Sequence, residues 1–249
     1  MICEVLSLGI VPYNDAWQLQ KDLAAQRALN QIPDTLLLLE HPHTYTLGRS
    51  AHAENLLLNE DELKRRGILV EWVDRGGDIT YHGPGQLVGY PILKLGDGVT
   101  ADGRIPQGDY VGYMRTLEET LIHAIAQFGI VSGQIKGLSG VWVQPDVASR
   151  CRHCPPSAKL TPSKIAAIGV KVDGRGISQH GFALNVQPDM RYFDDIIACG
   201  LSNHAVISMA DLMNDSPNVQ EVKDEVVRQF GKVFQRTMIE SADMVRTRV

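Results

Sequence analysis

The sequence predicts an α/β fold. Apolar runs with the length and flanks of strands alternate with helical periodicity, first at 3–11, 13–30 and 35–39 and again beyond residue 59. A glycine-rich stretch, Arg75-Gly-Gly-Asp-Ile-Thr-Tyr-His-Gly-Pro-Gly-Gln-Leu-Val-Gly-Tyr-Pro-Ile-Leu93, follows a strand, and open α/β sheets bind ligands at strand ends. No internal repeat or long linker divides the 249 residues, so a single domain over 1–249 is expected.

Residues 3–11 alternate as an opening strand. Tyr13 to Asn30 reads as a helix capped by Asn14 or Asp15, with Ala16, Leu19 and Leu23 at helical spacing. Pro33-Asp34 ends it, and Thr35 to Leu39 is a buried strand. His41 to Arg49 begins as a loop and enters a short strand. Asn59, with Glu62 three residues on, opens a helix that stops at Gly67. Ile68 to Val73 is the strand that leads into the glycine stretch, and Leu87 to Leu93 returns to the core. After a loop at 96–108, Asp109 caps a helix with a core stripe of Val111, Met114, Leu117, Leu121, Ile125 and Phe128, ended by Gly129. Strands follow at 130–135 and 140–144, then an irregular proline-rich insertion at about 145–163. Strands at 164–172 and 177–186 flank an Asp173-Gly174-Arg175-Gly176 hairpin turn. A helical turn at 190–197 leads to Cys199-Gly200. Ser208 then caps a brief helix, and Asn218 with Glu221 opens the last one, where Val219, Val222, Val226, Phe230 and Val233 face the body.

Composition excludes several classes. With 24 basic against 29 acidic side chains the net charge is −5, which argues against a general nucleic-acid binder. An acidic partner would have to meet a local basic patch such as Lys64-Arg65-Arg66. No apolar run reaches the roughly 18 residues of a membrane span, and the first residues lack a signal-peptide pattern, so a cytoplasmic protein is expected. Cysteines at 3, 151, 154 and 199 do not read as a disulfide framework; each is a core thiol, a metal ligand or a nucleophile. Cys151-Arg-His-Cys154 has the spacing of half a zinc site, with His153 as an extra ligand. No second half accompanies it, so an exposed loop without a metal is expected.

The glycine stretch carries five glycines and two prolines among Arg75, Asp78, Tyr81 and His82. Each glycine costs about 0.5–1 kcal/mol of backbone entropy relative to alanine, so such density suits backbone that must approach a ligand closely.

That stretch occurs in order with Gly140-Val-Trp-Val, Lys164-Ile-Ala-Ala-Ile-Gly-Val, His180-Gly-Phe-Ala-Leu-Asn-Val and Ala198-Cys199-Gly200. Together they resemble the lipoyl(octanoyl) transferases, over residues 3 to about 235. The chain departs from the family in a longer 145–163 segment, one added residue at 173–176, and Ala198 where proline is common. The resemblance implies a mixed β-sheet flanked by helices, as in the catalytic domain of biotin and lipoate protein ligases. It implies transfer of an octanoyl or lipoyl group from acyl carrier protein to a lysine of lipoyl domains. The acceptors would be 2-oxoacid dehydrogenase E2 subunits and the glycine cleavage H protein, with no nucleic acid, membrane or cofactor involved. It further implies a dyad of Cys199 and Lys164. The substrate channel would be lined by Arg75, Gly76, Gly77, Asp78, Ile79, Thr80, Tyr81, His82, Ala167, Ile168, Gly169, Gly181, Phe182 and Ala183.

The dyad also makes independent physical sense. The thiolate is the nucleophile, and a free thiol is only a few per cent ionised at neutral pH. An ammonium about 4 Å away favours the thiolate by about 1–4 kcal/mol. Lys164 would then hold Cys199 as thiolate and relay protons. The seven methylene and methyl groups of an octanoyl chain offer about 5 kcal/mol on burial, at about 0.8 per group. His82 and His180 are candidates for a base or for structural hydrogen bonding. Two rival readings are an ATP-dependent lipoate ligase, which would not need Cys199, and a non-catalytic protein that binds lipoyl domains or acyl carriers.

Overall fold

The computed structural model describes residues 1–96, 109–149, 151, 154–197 and 204–241. The chain opens with β1 (Ile2–Ile10), α1 (Tyr13–Ala28), β2 (Asp34–Glu40) and β3 (Thr44–Leu47). Next come α2 (Glu60–Arg66), β4 (Leu69–Trp72), β5 (Ile79–His82), β6 (Gln86–Ile92) and α3 (Tyr110–Ala126). The second half holds β7 (Gly133–Ile135), β8 (Leu138–Val143), α4 (Pro145–Ala148), β9 (Ser163–Val172) and β10 (Ser178–Asn185). It ends with α5 (Met209–Leu212), α6 (Val219–Val233) and β11 (Thr237–Glu240).

These strands build one eight-stranded sheet in the order β11-β1-β2-β6-β10-β9-β8-β7 and a three-stranded sheet, β4-β3-β5. Pairing is parallel between β1 and its two neighbours and antiparallel across the rest of the large sheet, so the sheet is mixed. One face packs against α3 and α6 through Leu117, Leu121, Val222, Val226 and Phe230. The other face packs against α1 through Ala16, Leu23 and Ala24, with Leu37, Leu39, Val88 and Ile92 from the strands. A third cluster, around Tyr45, Leu47, Ile79 and Tyr81, is the core of the small sheet.

Local signals set most of these elements. Asn59 and Glu62 form the reciprocal capping box, Gly67 adopts the left-handed cap at φ +64°, and the Asp109 carboxylate accepts from Gly112 N at 2.7 Å. Three expectations are corrected. α1 starts at Tyr13, directly after Pro12, so Asn14 lies inside its first turn, and the Asn14 amide donates to Glu71 at 2.7 Å. Val111 is 62% exposed, and the buried stripe of α3 begins at Tyr113. The strand before the glycine stretch belongs to the small sheet, because β4 pairs with β3.

The proline-rich segment also differs from the exposed loop expected. Cys151 and Cys154 are joined by a disulfide and buried in the core cluster on the helical face of the sheet, with Ala148 and Ala158. Both sulfurs face the carbonyl of Asp211 on α5. Cys151, Cys154 and Ala158 join the same core cluster as the apolar faces of α3 and α6, and burial of that surface holds the segment inward. His153 lies outside the described residues.

Candidate active site

A cavity of about 220 Å³ lies on the α1 side of the large sheet, roofed by the glycine stretch. Its floor follows from strand register. Gly181 stands opposite Gly169 and Ala183 opposite Ala167, so two neighbouring cross-strand pairs carry nothing larger than a methyl group. The alternating partners Ile168 and Phe182 belong to the helical core behind. Gly76 N donates to Val170 O at 3.1 Å, laying the loop across β9. A Cβ on Gly169 would sit 3.0 Å from Gly76 O and 3.1 Å from Arg75 Cδ, so a larger residue there would push the roof away.

The lining includes Arg75, Gly76, Gly77, Asp78, Thr80, His82, Ala167, Ile168, Gly169, Gly181, Phe182 and Ala183. Ile79 and Tyr81 do not line it, which corrects the expected channel. Strand alternation in β5 turns both into the core of the small sheet, where each is fully buried. There Tyr81 stacks on Tyr192 at 5.0 Å, and its hydroxyl meets His43 Nδ1 at 2.8 Å. Tyr192 is covered in turn by the Arg66 guanidinium, which pairs with Asp195 at 2.7 Å. Arg66 of the basic patch is therefore engaged within the protein, and the stack fixes the 190–197 segment against β5.

A buried polar chain runs under the roof. Arg75 donates to Thr46 O at 2.6 Å, to Thr46 Oγ1 at 2.9 Å and to Gly76 O at 2.9 Å. His82 Nδ1 donates to Gln86 Oε1 at 2.8 Å, which leaves Nε2 as an acceptor facing Thr46 Oγ1 at 3.4 Å. Gln86 donates to Asn185 Oδ1 at 2.9 Å, and Asn185 donates to Ile207 O at 3.0 Å. Burial holds the His82 imidazole well below its ordinary range, so the ring is neutral and suits hydrogen bonding.

The far end of the cavity is polar. His180, at φ +55°, is 1% exposed, and its Nε2–H donates to Asp74 Oδ1 at 2.8 Å. The Tyr13 hydroxyl faces its Nδ1 at 3.4 Å. Asp74 also pairs with Lys171 at 2.5 Å, and the two partners hold its carboxyl below the usual carboxylate range. His180 is pushed down by burial, against the pull of Asp74. His41 Nδ1 donates to Val11 O and its Nε2 accepts from Tyr90, both at 2.7 Å; burial lowers it to about 4.

These neutral rings make stability pH-dependent. Because folding depresses the His41 value, its contribution is complete above about 6.5 and fades as pH falls towards about 4. At about 1.4 kcal/mol per pH unit, the loss from His41 is about 3 kcal/mol by pH 4. His82 and His180 shift in the same direction and add to it. The melting temperature measured from pH 8 to pH 4.5 is expected to hold above 6.5 and fall below it; a flat profile contradicts the assignment.

Lys164 sits at the other end, 7% exposed. The β8–β9 register skips a residue there: Val141 faces Ala166, but Trp142 faces Lys164. Such a bulge re-aims a side chain, and the Lys164 ammonium lies 4.8 Å over the Trp142 ring. Its other edge is bonded to the chain that follows the cysteine motif: Lys164 N donates to Ala205 O at 2.9 Å, and Ile207 N to Lys164 O at 3.0 Å. On the near side of that motif, Ile197 N donates to Asn55 O at 2.9 Å, and Asn55 donates to Asp78 at 2.6 Å. A small adjoining pocket bears Lys164, Thr80, Asn185, Phe193 and Val206. Cys199 itself lies outside the described residues.

Sequence reasoning missed Tyr13, Tyr90 and the Gly137-Leu138-Ser139 entry into β8 in the lining, and Asp74 and Asn185 beside it. Asp74 is adjacent to Arg75 and Asn185 falls in the His180 motif, so both stood next to the signal. Tyr90 lies within the glycine stretch itself, on β6, whereas Tyr13 reaches the cavity only through packing of α1 on the sheet. Among the described residues, no group of three or more His, Cys, Asp or Glu side chains is arranged to hold a metal ion, and no helix is long and apolar enough to cross a membrane.

The architecture is that of a lipoate-ligase-type catalytic domain. The bipartite lipoate protein ligase of Thermoplasma acidophilum superposes with a TM-score of 0.68 at 18% identity, over 97% of this chain and 87% of that one. Lipoate-protein ligase A bound with ATP superposes with a TM-score of 0.66 at 17% identity, over 98% and 90%. At those identities the likeness concerns the fold. Residues 12–231 match the lipoyl protein ligase A/B catalytic domain, and the chain belongs to that family. It is 43% identical to the octanoyltransferase of Chloroflexus aurantiacus, over 91% of this chain and 92% of that protein. It is also 42% identical to the octanoyltransferase of Acidobacterium capsulatum, over 94% and 91%.

Proposed function

We propose that this protein is an octanoyltransferase of protein lipoylation, with its single catalytic domain spanning 1–249. The observation that carries the reading is the cavity itself. A floor of small residues leads to Lys164, whose backbone is paired with Ala205 and Ile207, six and eight residues past Cys199. The relatives named octanoyltransferase support the same activity.

Cys199 acts as the nucleophile and Lys164 as its proton partner. The Cys199 thiolate attacks the carbonyl of an octanoyl thioester on acyl carrier protein. A new thioester bond forms to Cys199 as the old carbon–sulfur bond breaks, and the departing carrier thiolate takes a proton from the Lys164 ammonium. The amine of an acceptor lysine, on a lipoyl domain of a 2-oxoacid dehydrogenase E2 subunit or the glycine cleavage H protein, then attacks octanoyl-Cys199. Its proton passes to Lys164, the amide forms, and the thiolate is regenerated. Thioester exchange is nearly balanced and amide formation is downhill, so the sequence of steps needs no ATP. Arg75 holds the roof and the small-residue floor receives the chain.

Intact mass after incubation with octanoyl carrier protein tests the reading. One octanoyl group on the protein, discharged by added acceptor domain, is expected; an unmodified protein overturns it. Chain length gives a second expectation. Ala183→Leu fills the floor opposite Ala167 and displaces about two methylene groups of the substrate. At about 0.8 kcal/mol each, the octanoyl thioester should lose about tenfold in kcat/KM relative to a butanoyl thioester. An unchanged ratio would mean that the acyl chain lies elsewhere.

A further inference from the structure

Glu118 lies on α3 between core positions, 1% exposed, and does not line the cavity. A carboxylate in that place is costly unless its oxygens are satisfied. Both are: Arg115 Nη1 donates to one at 2.6 Å, and Gly140 N donates to the other at 2.8 Å. Gly140 is the residue of β8 that departs furthest from strand geometry, with φ +106°. A Cβ there would meet Ala166 O at 2.5 Å and Lys164 Cε at 3.4 Å, so the Lys164 stem passes directly over this backbone. Two residues on, the register skips and Trp142 faces Lys164. The kink at Gly140, the bulge and the aim of Lys164 thus form one continuous backbone feature. Within it, the buried Gly140 amide donates to the carboxylate of Glu118.

We propose that Glu118 is a positioning residue for Lys164, acting through the backbone of Gly140. The proposal rests on the reading of Lys164 as the proton partner of Cys199. Without the acceptor on Glu118, the buried Gly140 N–H is left unpaired and must move to find one. The Lys164 stem borders the space that a Cβ on Gly140 would fill, so a shift of this backbone changes its aim. Arg115 supports the arrangement from the rim by fixing the Glu118 carboxylate.

The test compares Glu118→Leu, which removes the acceptor, with Glu118→Gln, which keeps a carbonyl for Gly140 and loses the charge. Steady-state transfer is measured alongside alkylation of Cys199 by iodoacetamide as a function of pH, with thermal melting to confirm folding. Glu118→Leu is expected to lower kcat by about tenfold to a hundredfold, with KM within about threefold, since small misplacements of a reacting group cost that much. Its alkylation profile should move to higher pH. Glu118→Gln should retain kcat within about threefold and keep the wild-type profile. A folded Glu118→Leu with wild-type kcat, or equal losses in both variants, overturns the proposal. Should Glu118→Leu not fold, Glu118→Asp keeps the charge but draws the acceptor back by one methylene; a lowered kcat with a shifted alkylation profile supports the proposal, and wild-type behaviour overturns it. If wild-type protein forms no octanoyl adduct, the functional reading fails instead. An intact wild-type adduct with unaffected variants refutes the positioning role alone.

Discussion

Replacing Cys199 by alanine is expected to abolish the octanoyl adduct and slow transfer to an acceptor lysine by about a thousandfold or more, as loss of a covalent nucleophile does. The other three cysteines are poor substitutes for separate physical reasons. Cys3 is fully buried in β1, and burial with the nearby Asp34 carboxylate pushes its thiol up to about 12. Cys151 and Cys154 are joined to each other. The matching controls are therefore Cys3→Ala and the double replacement of Cys151 and Cys154 by alanine, both expected to keep the adduct. Peptide mass mapping after incubation with octanoyl carrier protein decides the matter. An octanoyl group that survives Cys199→Ala on another cysteine would move the nucleophile, and a fully active Cys199→Ala would end the covalent mechanism.

Lys164→Met should lower kcat by about a hundredfold to ten-thousandfold, the usual range for a positioned acid–base group, while KM changes far less. Methionine keeps the length and apolar stem over Trp142 and Gly140 but removes the ammonium. The proposed mechanism gives that ammonium two functions, and Lys164→Arg separates them. Arginine retains a positive charge near the thiol but does not give up a proton at working pH. Alkylation of Cys199 by iodoacetamide should therefore move to higher pH in Lys164→Met and stay nearer wild type in Lys164→Arg, while both variants transfer slowly. If Lys164→Arg transferred at the wild-type rate, the lysine would be supplying charge alone. If neither variant altered transfer or alkylation, Lys164 would have no part in the chemistry.

The elements with strong local signals were legible without coordinates. The capping boxes at Asn59 and Asn218, the cap at Asp109 and the 173–176 hairpin all depend on contacts within a few residues. β5 and β11 were not legible. β5 is four residues of the glycine stretch and becomes a strand through pairing with β3, while β11 forms on the edge of β1, more than two hundred residues away in sequence. The disulfide was missed because a C-x-x-C pair is equally a metal or redox signature, and only packing against α5 shows it buried.

By itself the sequence determined the order of motifs, the α/β alternation and the residue types of the candidate site: an arginine and glycines for a roof, small residues at 167, 169, 181 and 183, and a lysine at 164, with Cys199 as the proposed nucleophile. Those depend on local chemistry, which a linear chain displays. The tertiary structure decided which of them share a space. Alternation within β5 sent Tyr81 and Ile79 away from the cavity, while packing of α1 brought Tyr13 into it. A one-residue skip beside Gly140 aimed Lys164, and a carboxylate from a helix behind the sheet held that skip in place. Register and long-range packing choose which face of a strand a residue occupies, and a one-residue difference in register reverses that choice.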